Sequence, residues 1–199
     1  MPYSDNLKVF WFTPKRTATR SCNIIMEHLD FLDLTHDIFK NEQHKKYYFI
    51  SNIRNPYSRL VSIYHLYCYH SKREPNDFRD WVIKKLREEV EFPIQTLDYQ
   101  INLSKIFSSY DRLPDYFVRQ EFLEEDIRNL WFIKDNMSEE LEIIIQDNIV
   151  NNGYLTEFGK RNPWQEYYNN SLSNYVYNFL EKDFQLFGYD KNSWKNGTP

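Results

Sequence analysis

The first 152 residues contain no glycine; the four glycines of the chain are Gly153, Gly159, Gly188 and Gly197. Glycine is the residue that takes left-handed backbone without steric cost. Its absence excludes both a GxGxxG dinucleotide loop and a GxxxxGK[ST] phosphate loop. The 199 residues suffice for one core that hides about 70% of the unfolded surface, so a single domain spanning 1–199 is expected. With 15 Phe, 16 Tyr and 5 Trp, that core can be built from rings that each bury ~150–250 Å².

Charge narrows the function classes. There are 25 Lys plus Arg against 29 Asp plus Glu, a net charge of -4. That balance argues against a general nucleic-acid binder, whose affinity comes from neutralising phosphates, and any basic function must be local. No run of about 18 apolar residues is present to span a bilayer, and residues 1–15 lack the apolar region of a secretory signal. The two cysteines, Cys22 and Cys68, are too few for a disulfide framework. They read as reduced thiols, and a cytoplasmic location is expected.

Periodicity gives the architecture. LKVFWFT (7–13) is a short aromatic and β-branched run closed by Pro14, which fits a buried strand. RSCNIIMEHLDFL then carries Ile24, Ile25, Met26 and Leu29 at helical spacing, with Thr19 or Ser21 as N-cap. KYYFISNI (46–53) is a second strand, ended by Arg54-Asn55-Pro56, and Pro56 stands where a helix starts. Two strand–loop–helix units predict an α/β domain with a central parallel sheet flanked by helices. Further helices are expected over 76–90, 121–133, 138–150 and from 171 to a stop at Gly188, and a third strand over 115–119. A polar loop spans 151–170.

Two segments carry chemistry. Thr13-Pro14-Lys15-Arg16-Thr17-Ala18-Thr19-Arg20-Ser21 lies between a strand and a helix. The helix N-terminus offers unpaired N–H groups and partial positive charge, and Lys15, Arg16, Arg20 and three hydroxyls add donors for a phosphate or sulfate. The second segment, Arg54-Asn55-Pro56-Tyr57-Ser58-Arg59-Leu60-Val61-Ser62, places Arg54 at a strand edge and Ser62 two turns into a helix. A guanidinium fork there suits a second phosphate. Taken alone, each segment is equally read as a capped helix with solvated basic residues. Taken together, they fall at the C-terminal edge of a parallel sheet, where open α/β folds bind ligands.

In combination the two segments resemble the sulfotransferases that use 3′-phosphoadenosine 5′-phosphosulfate (PAPS). The family's Pro-Lys-x-x-x-Thr loop is matched by Pro14-Lys15 and Thr19, with Thr17-Ala18 where many members carry glycine. Its Arg-Asn/Asp-Pro strand end, followed by Ser eight residues after the Arg, is matched by Arg54-Asn55-Pro56 and Ser62. Weaker echoes are VRQEFLEED (118–126) and KDFQLFGYD (182–190). The resemblance implies a P-loop-like sulfotransferase fold and sulfuryl transfer from PAPS to a hydroxyl acceptor, a carbohydrate by the family subset, with PAP as product and no metal. Alternatives are a nucleotide-dependent phosphotransferase on the same scaffold and a catalytically silent PAP-binding module.

The resemblance also implies roles. Lys15 would serve catalysis at the bridging oxygen, and Arg16, Thr17, Ala18, Thr19, Arg20 and Ser21 would cradle the 5′-phosphosulfate. Arg54 and Ser62 would hold the 3′-phosphate, joined by Lys160 and Arg161 from a late loop. The general base expected on the acceptor side is His36, with Glu27, Asp33 and Asp37 as rivals. Glu121 is read either as an acceptor-side group or as the partner of Arg119. Tyr64, Tyr67, Tyr69 and Trp81 are read as core.

Overall fold

The computed structural model describes residues 2–33, 44–72, 77–87, 101–108, 112–150 and 162–196. Chain contacts divide into two compact units, Met1–Ile53 with Phe107–Gly159, and Arg54–Ile106 with Lys160–Pro199.

The first unit holds the sheet. The aromatic run becomes β2 (Val9–Phe12), buried throughout. The second run becomes β4 (Tyr48–Ile53), parallel to β2 from Val9↔Tyr48 to Phe12↔Ser51. Beside it lies β5 (Tyr116–Arg119), parallel from Ile50↔Tyr116 to Ile53↔Arg119. These three strands form the expected parallel centre. Two short strands extend it on the β2 side: β1 (Pro2–Ser4) pairs antiparallel with β2, and β3 (Leu32–Asp33) antiparallel with β1. The order among the described residues is β3-β1-β2-β4-β5. Strands of three and two residues carry too little alternation to register in a sequence pattern.

Strand alternation assigns the faces. Val9, Trp11, Ile50 and Val118 meet Cys22, Ile25 and Met26 of α1 (Thr19–His28) in one buried cluster. Completing it are Ile127 of α5 (Leu123–Asn129), Phe132 and Ile133 of α6 (Trp131–Asp135), and Leu141 and Ile145 of α7 (Glu139–Ile145). Trp11 meets Phe132 edge-on at 5.9 Å. The alternate residues pack separately: Phe10 stacks on Tyr47 at 5.1 Å, and Phe12 and Phe49 each stand edge-on to Phe107 at 6.4 Å. The end of β5 is fixed by buried Asp126, which accepts from Arg119 N, Nε and Nη2 at 2.7, 2.9 and 2.6 Å. Asp126, which the sequence reading did not name, therefore pairs with Arg119.

The second unit is helical. It contains α2 (Pro56–Ser71), α3 (Phe78–Leu86), the start of α4 (Leu103–Ser108), α8 (Asn170–Phe187) and α9 (Ser193–Asn196). Phe78, Trp81, Val82 and Leu86 form a buried apolar stripe on α3, and Phe78 and Trp81 lie 5.2 and 5.3 Å from Tyr64. Tyr57 is enclosed by Tyr168 and Phe184 at 4.9 and 4.8 Å. Helix α8 stops at Gly188, whose φ of 72° gives the left-handed cap that glycine adopts at no cost. Helix α4 is capped from far along the chain: Asp183 accepts from the N–H groups of Leu103 and Ser104, both at 2.8 Å.

Candidate functional site

The loop after β2 is a tight turn without glycine. Thr17 N donates to Pro14 O at 3.3 Å, and two residues take positive φ, Arg16 at 69° and Ala18 at 65°. Left-handed backbone costs an L-residue with a Cβ roughly 1–2 kcal/mol, so the surroundings have to hold this loop. Hydroxyls do part of that: Thr17 Oγ1 donates to Pro14 O at 2.5 Å and Thr19 Oγ1 to the same oxygen at 2.9 Å. The rest comes from β4. The buried Asn52 amide donates from Nδ2 to Thr17 O at 2.7 Å and to Cys22 Sγ at 3.0 Å, and its Oδ1 accepts from Trp11 Nε1 at 2.7 Å.

These bonds revise the expected capping. Helix α1 begins at Thr19 after Ala18 as N-cap residue, with no side-chain cap, because the Thr19 hydroxyl is turned back to the loop. An uncapped helix start presents first-turn N–H groups and the positive end of the helix dipole, which is the electrostatic requirement for holding an oxyanion. Thr17 is fully buried, and its side chain braces the turn from inside. Lys15, Arg16, Ala18 and Thr19 are half-buried, Arg20 is exposed and Ser21 is buried. Cys22, one turn into α1, has its thiol pushed up to about 12 by burial, against the lowering effect of the Asn52 N–H. It stays a protonated thiol at neutral pH and is no nucleophile.

The turn after β4, in the second unit, is built differently. Asn55 is the N-cap of α2, its side chain accepting from Tyr57 N at 3.0 Å, and Pro56 takes the first helical position. Asn55 Nδ2 donates to Ser193 Oγ at 2.8 Å, and Tyr57 OH to Ser173 O and Lys191 O at 3.2 and 2.9 Å. Arg54 Nε donates to Ser58 Oγ at 2.8 Å. Ser62 is one turn beyond Ser58, so both share a face of α2. Ser58 is a positioning residue absent from the sequence reading, although its four-residue spacing from both Arg54 and Ser62 marks it.

Arg54 also lines a small cleft with Pro56, Arg59, Leu60, Ile63, Ile101, Leu103 and Asp183. Arg59 is buried, and its Nη1 donates to Ile101 O at 2.8 Å. Desolvation pulls its guanidinium down to about 10, opposed by Asp183 and reinforced by Arg54. Burial raises the Asp183 carboxyl despite the N–H groups it accepts. Two guanidiniums, buried Arg59 and half-buried Arg54, against one carboxylate leave this cleft electropositive, which suits a polyanion.

Residues 15–21 lie around one helix end, and Arg54 is bonded to Ser58, with Ser62 one turn further along α2. His36, Lys160 and Arg161, with the rival Asp37, lie outside the described residues; the rival Glu27 is exposed on α1. Tyr64 and Trp81 are core as read, whereas Tyr69 is exposed. Among the described residues no group of three or more His, Cys, Asp and Glu is placed to hold a metal ion, and no helix is long and apolar enough to cross a membrane. A family model described as Sulfotransferase family matches residues 2–136, more than half of the chain. No curated protein and no solved structure matches it.

Proposed function

The chain belongs to the sulfotransferase family, and on that premise we propose that it moves the sulfuryl group of PAPS to a hydroxyl of a carbohydrate acceptor. The observation that carries the reading is the uncapped start of α1 directly behind Lys15, in a turn whose own hydroxyls are directed away from that helix end. The donor set fits the nucleotide: an ammonium and helix N–H groups for the 5′ side, a guanidinium and a hydroxyl for the 3′ side. When bound, PAPS supplies the sulfuryl group and departs as PAP.

The protein's own part is positioning and electrostatics. Lys15 stabilises negative charge on the leaving phosphate oxygen, and the N–H groups at the start of α1 orient the phosphate in line with the acceptor. Arg54 grips the 3′-phosphate while Ser58 fixes the guanidinium, and Ser62 joins it on the same helix face. Lys160 and Arg161 add charge to the same phosphate. His36 takes the acceptor proton. Both cysteines are free thiols, which supports a reducing, cytoplasmic compartment.

Calorimetric titration with PAP, followed by transfer of labelled sulfate from PAPS to a panel of glycans, phenols and lipid alcohols, tests the proposal. Saturable heat with PAP and label in a glycan are expected. No heat from the folded protein at millimolar PAP would overturn it. Saturable heat with no label in any acceptor would identify a silent binding module instead.

A further inference from the structure

We infer that Asn52 is a positioning residue for the anion loop: its buried amide replaces the missing glycines by locking Thr17, and so the turn 14–19, in the shape that receives the 5′ end of the nucleotide. The inference rests on the nucleotide-binding reading and goes beyond it in naming what makes the loop competent.

The geometry allows one orientation of the amide. An indole N–H only donates, so the Asn52 atom facing Trp11 Nε1 at 2.7 Å must be the oxygen. The NH₂ is then directed at the Thr17 carbonyl, 2.7 Å away, with Cys22 Sγ as its second acceptor. Strand β2, the loop and helix α1 are thus tied to one fully buried side chain on β4. Thr17 stands between Arg16 and Ala18, the two residues with positive φ. Holding the carbonyl of the residue between them keeps both neighbours in a conformation that an unrestrained chain with Cβ atoms avoids. An apolar side chain at position 52 would fill the space and leave the Thr17 carbonyl and the Trp11 N–H without these partners. The hydroxyl bonds of Thr17 and Thr19 close the turn on itself, and the Asn52 bond ties that turn to the strand beside it.

The test compares wild type, Asn52→Ala and the double variant Asn52→Ala/Ala18→Gly by PAP calorimetry, melting temperature and hydrogen exchange at the amides of 17–22 without nucleotide. We expect Asn52→Ala to weaken PAP roughly threefold to tenfold, the equivalent of losing one or two buried hydrogen bonds, and to speed exchange at 17–22. Adding Ala18→Gly, which removes the left-handed penalty at that residue, should recover most of the affinity without recovering the melting temperature in proportion. A folded Asn52→Ala variant that binds PAP like wild type, or an affinity loss that Ala18→Gly leaves untouched, would overturn the inference. If Asn52→Ala does not fold, Asn52→Asp keeps the volume and the acceptor for Trp11 but turns an oxygen toward the Thr17 carbonyl, and the same outcomes apply. A wild-type protein silent toward PAP would overturn the nucleotide reading itself, while the exchange data would still decide whether Asn52 holds the loop.

Discussion

The two segments proposed to bind the nucleotide's anions hold their backbones by opposite means. The turn at Arg54 uses residues that suit their backbone: an Asn that caps, a Pro at the first helical position, and no positive φ from 54 to 62. The loop at Lys15 uses residues that do not suit theirs, with Arg16 and Ala18 left-handed, and depends on a side chain more than thirty positions away to hold them. The first arrangement takes its backbone geometry from its own residues and is braced from the end of the chain by Ser173, Lys191 and Ser193. The second is supported from the strand beneath it, so its function should respond to residues that never touch a ligand.

Substitutions can break or sharpen that contrast. Lys15→Ala should have the largest effect, lowering turnover ~10²–10³-fold as expected for deleting a charge-stabilising donor, with the melting temperature unmoved; single-turnover kinetics would show it. Arg54→Ala should weaken PAP by about 1.5 to 3 kcal/mol, the range for a charged hydrogen bond, by calorimetry. Unchanged affinity there would remove the 3′-phosphate role. Asn55→Ala should cost about 1 to 2 kcal/mol of stability through the lost cap, read from urea unfolding, while leaving loop exchange at 13–21 as it was. Altered exchange in that loop would contradict the independence of the two supports.

The smallest effect concerns Cys22. Burial raises its thiol from 9.0 to about 12, so the unfolded chain loses that proton first. Stability is full below about pH 9 and declines as pH rises toward 12, by about 1 kcal/mol at pH 10. Cys22→Ala lacks this component, and urea titrations of the two proteins at pH 7 and pH 10 should diverge accordingly. Identical slopes would mean that the corner beside Asn52 is wet.

The contrast also explains what could be read in advance. The sequence reading has β2, β4 and β5, the helix after each strand loop, and the Gly188 stop, because each is encoded within a dozen residues. Pro56 announces the turn at Arg54 in the same way. The brace on the Lys15 loop is a long-range contact, and its trace is only a polar Asn52 inside the apolar run FISNI. Helix α4 went unread for a similar reason: its cap is Asp183, about eighty residues on. The pattern offers Thr19 or Ser21 as the cap of α1, but the helix starts after Ala18, and the Thr19 hydroxyl is turned to the Pro14 carbonyl.

The buttress of the Arg54 turn comes late. Ser173, Asp183, Lys191 and Ser193, which receive or supply the contacts to Tyr57, Leu103, Ser104 and Asn55, all lie beyond residue 170. A ribosome that has delivered the sheet and both loops has therefore not yet supplied the residues that brace Asn55 and Tyr57. During synthesis the Lys15 loop can take shape first, and the Arg54 turn sets only when the final helices emerge, so a prematurely terminated chain would keep the loop and lose the brace of the turn.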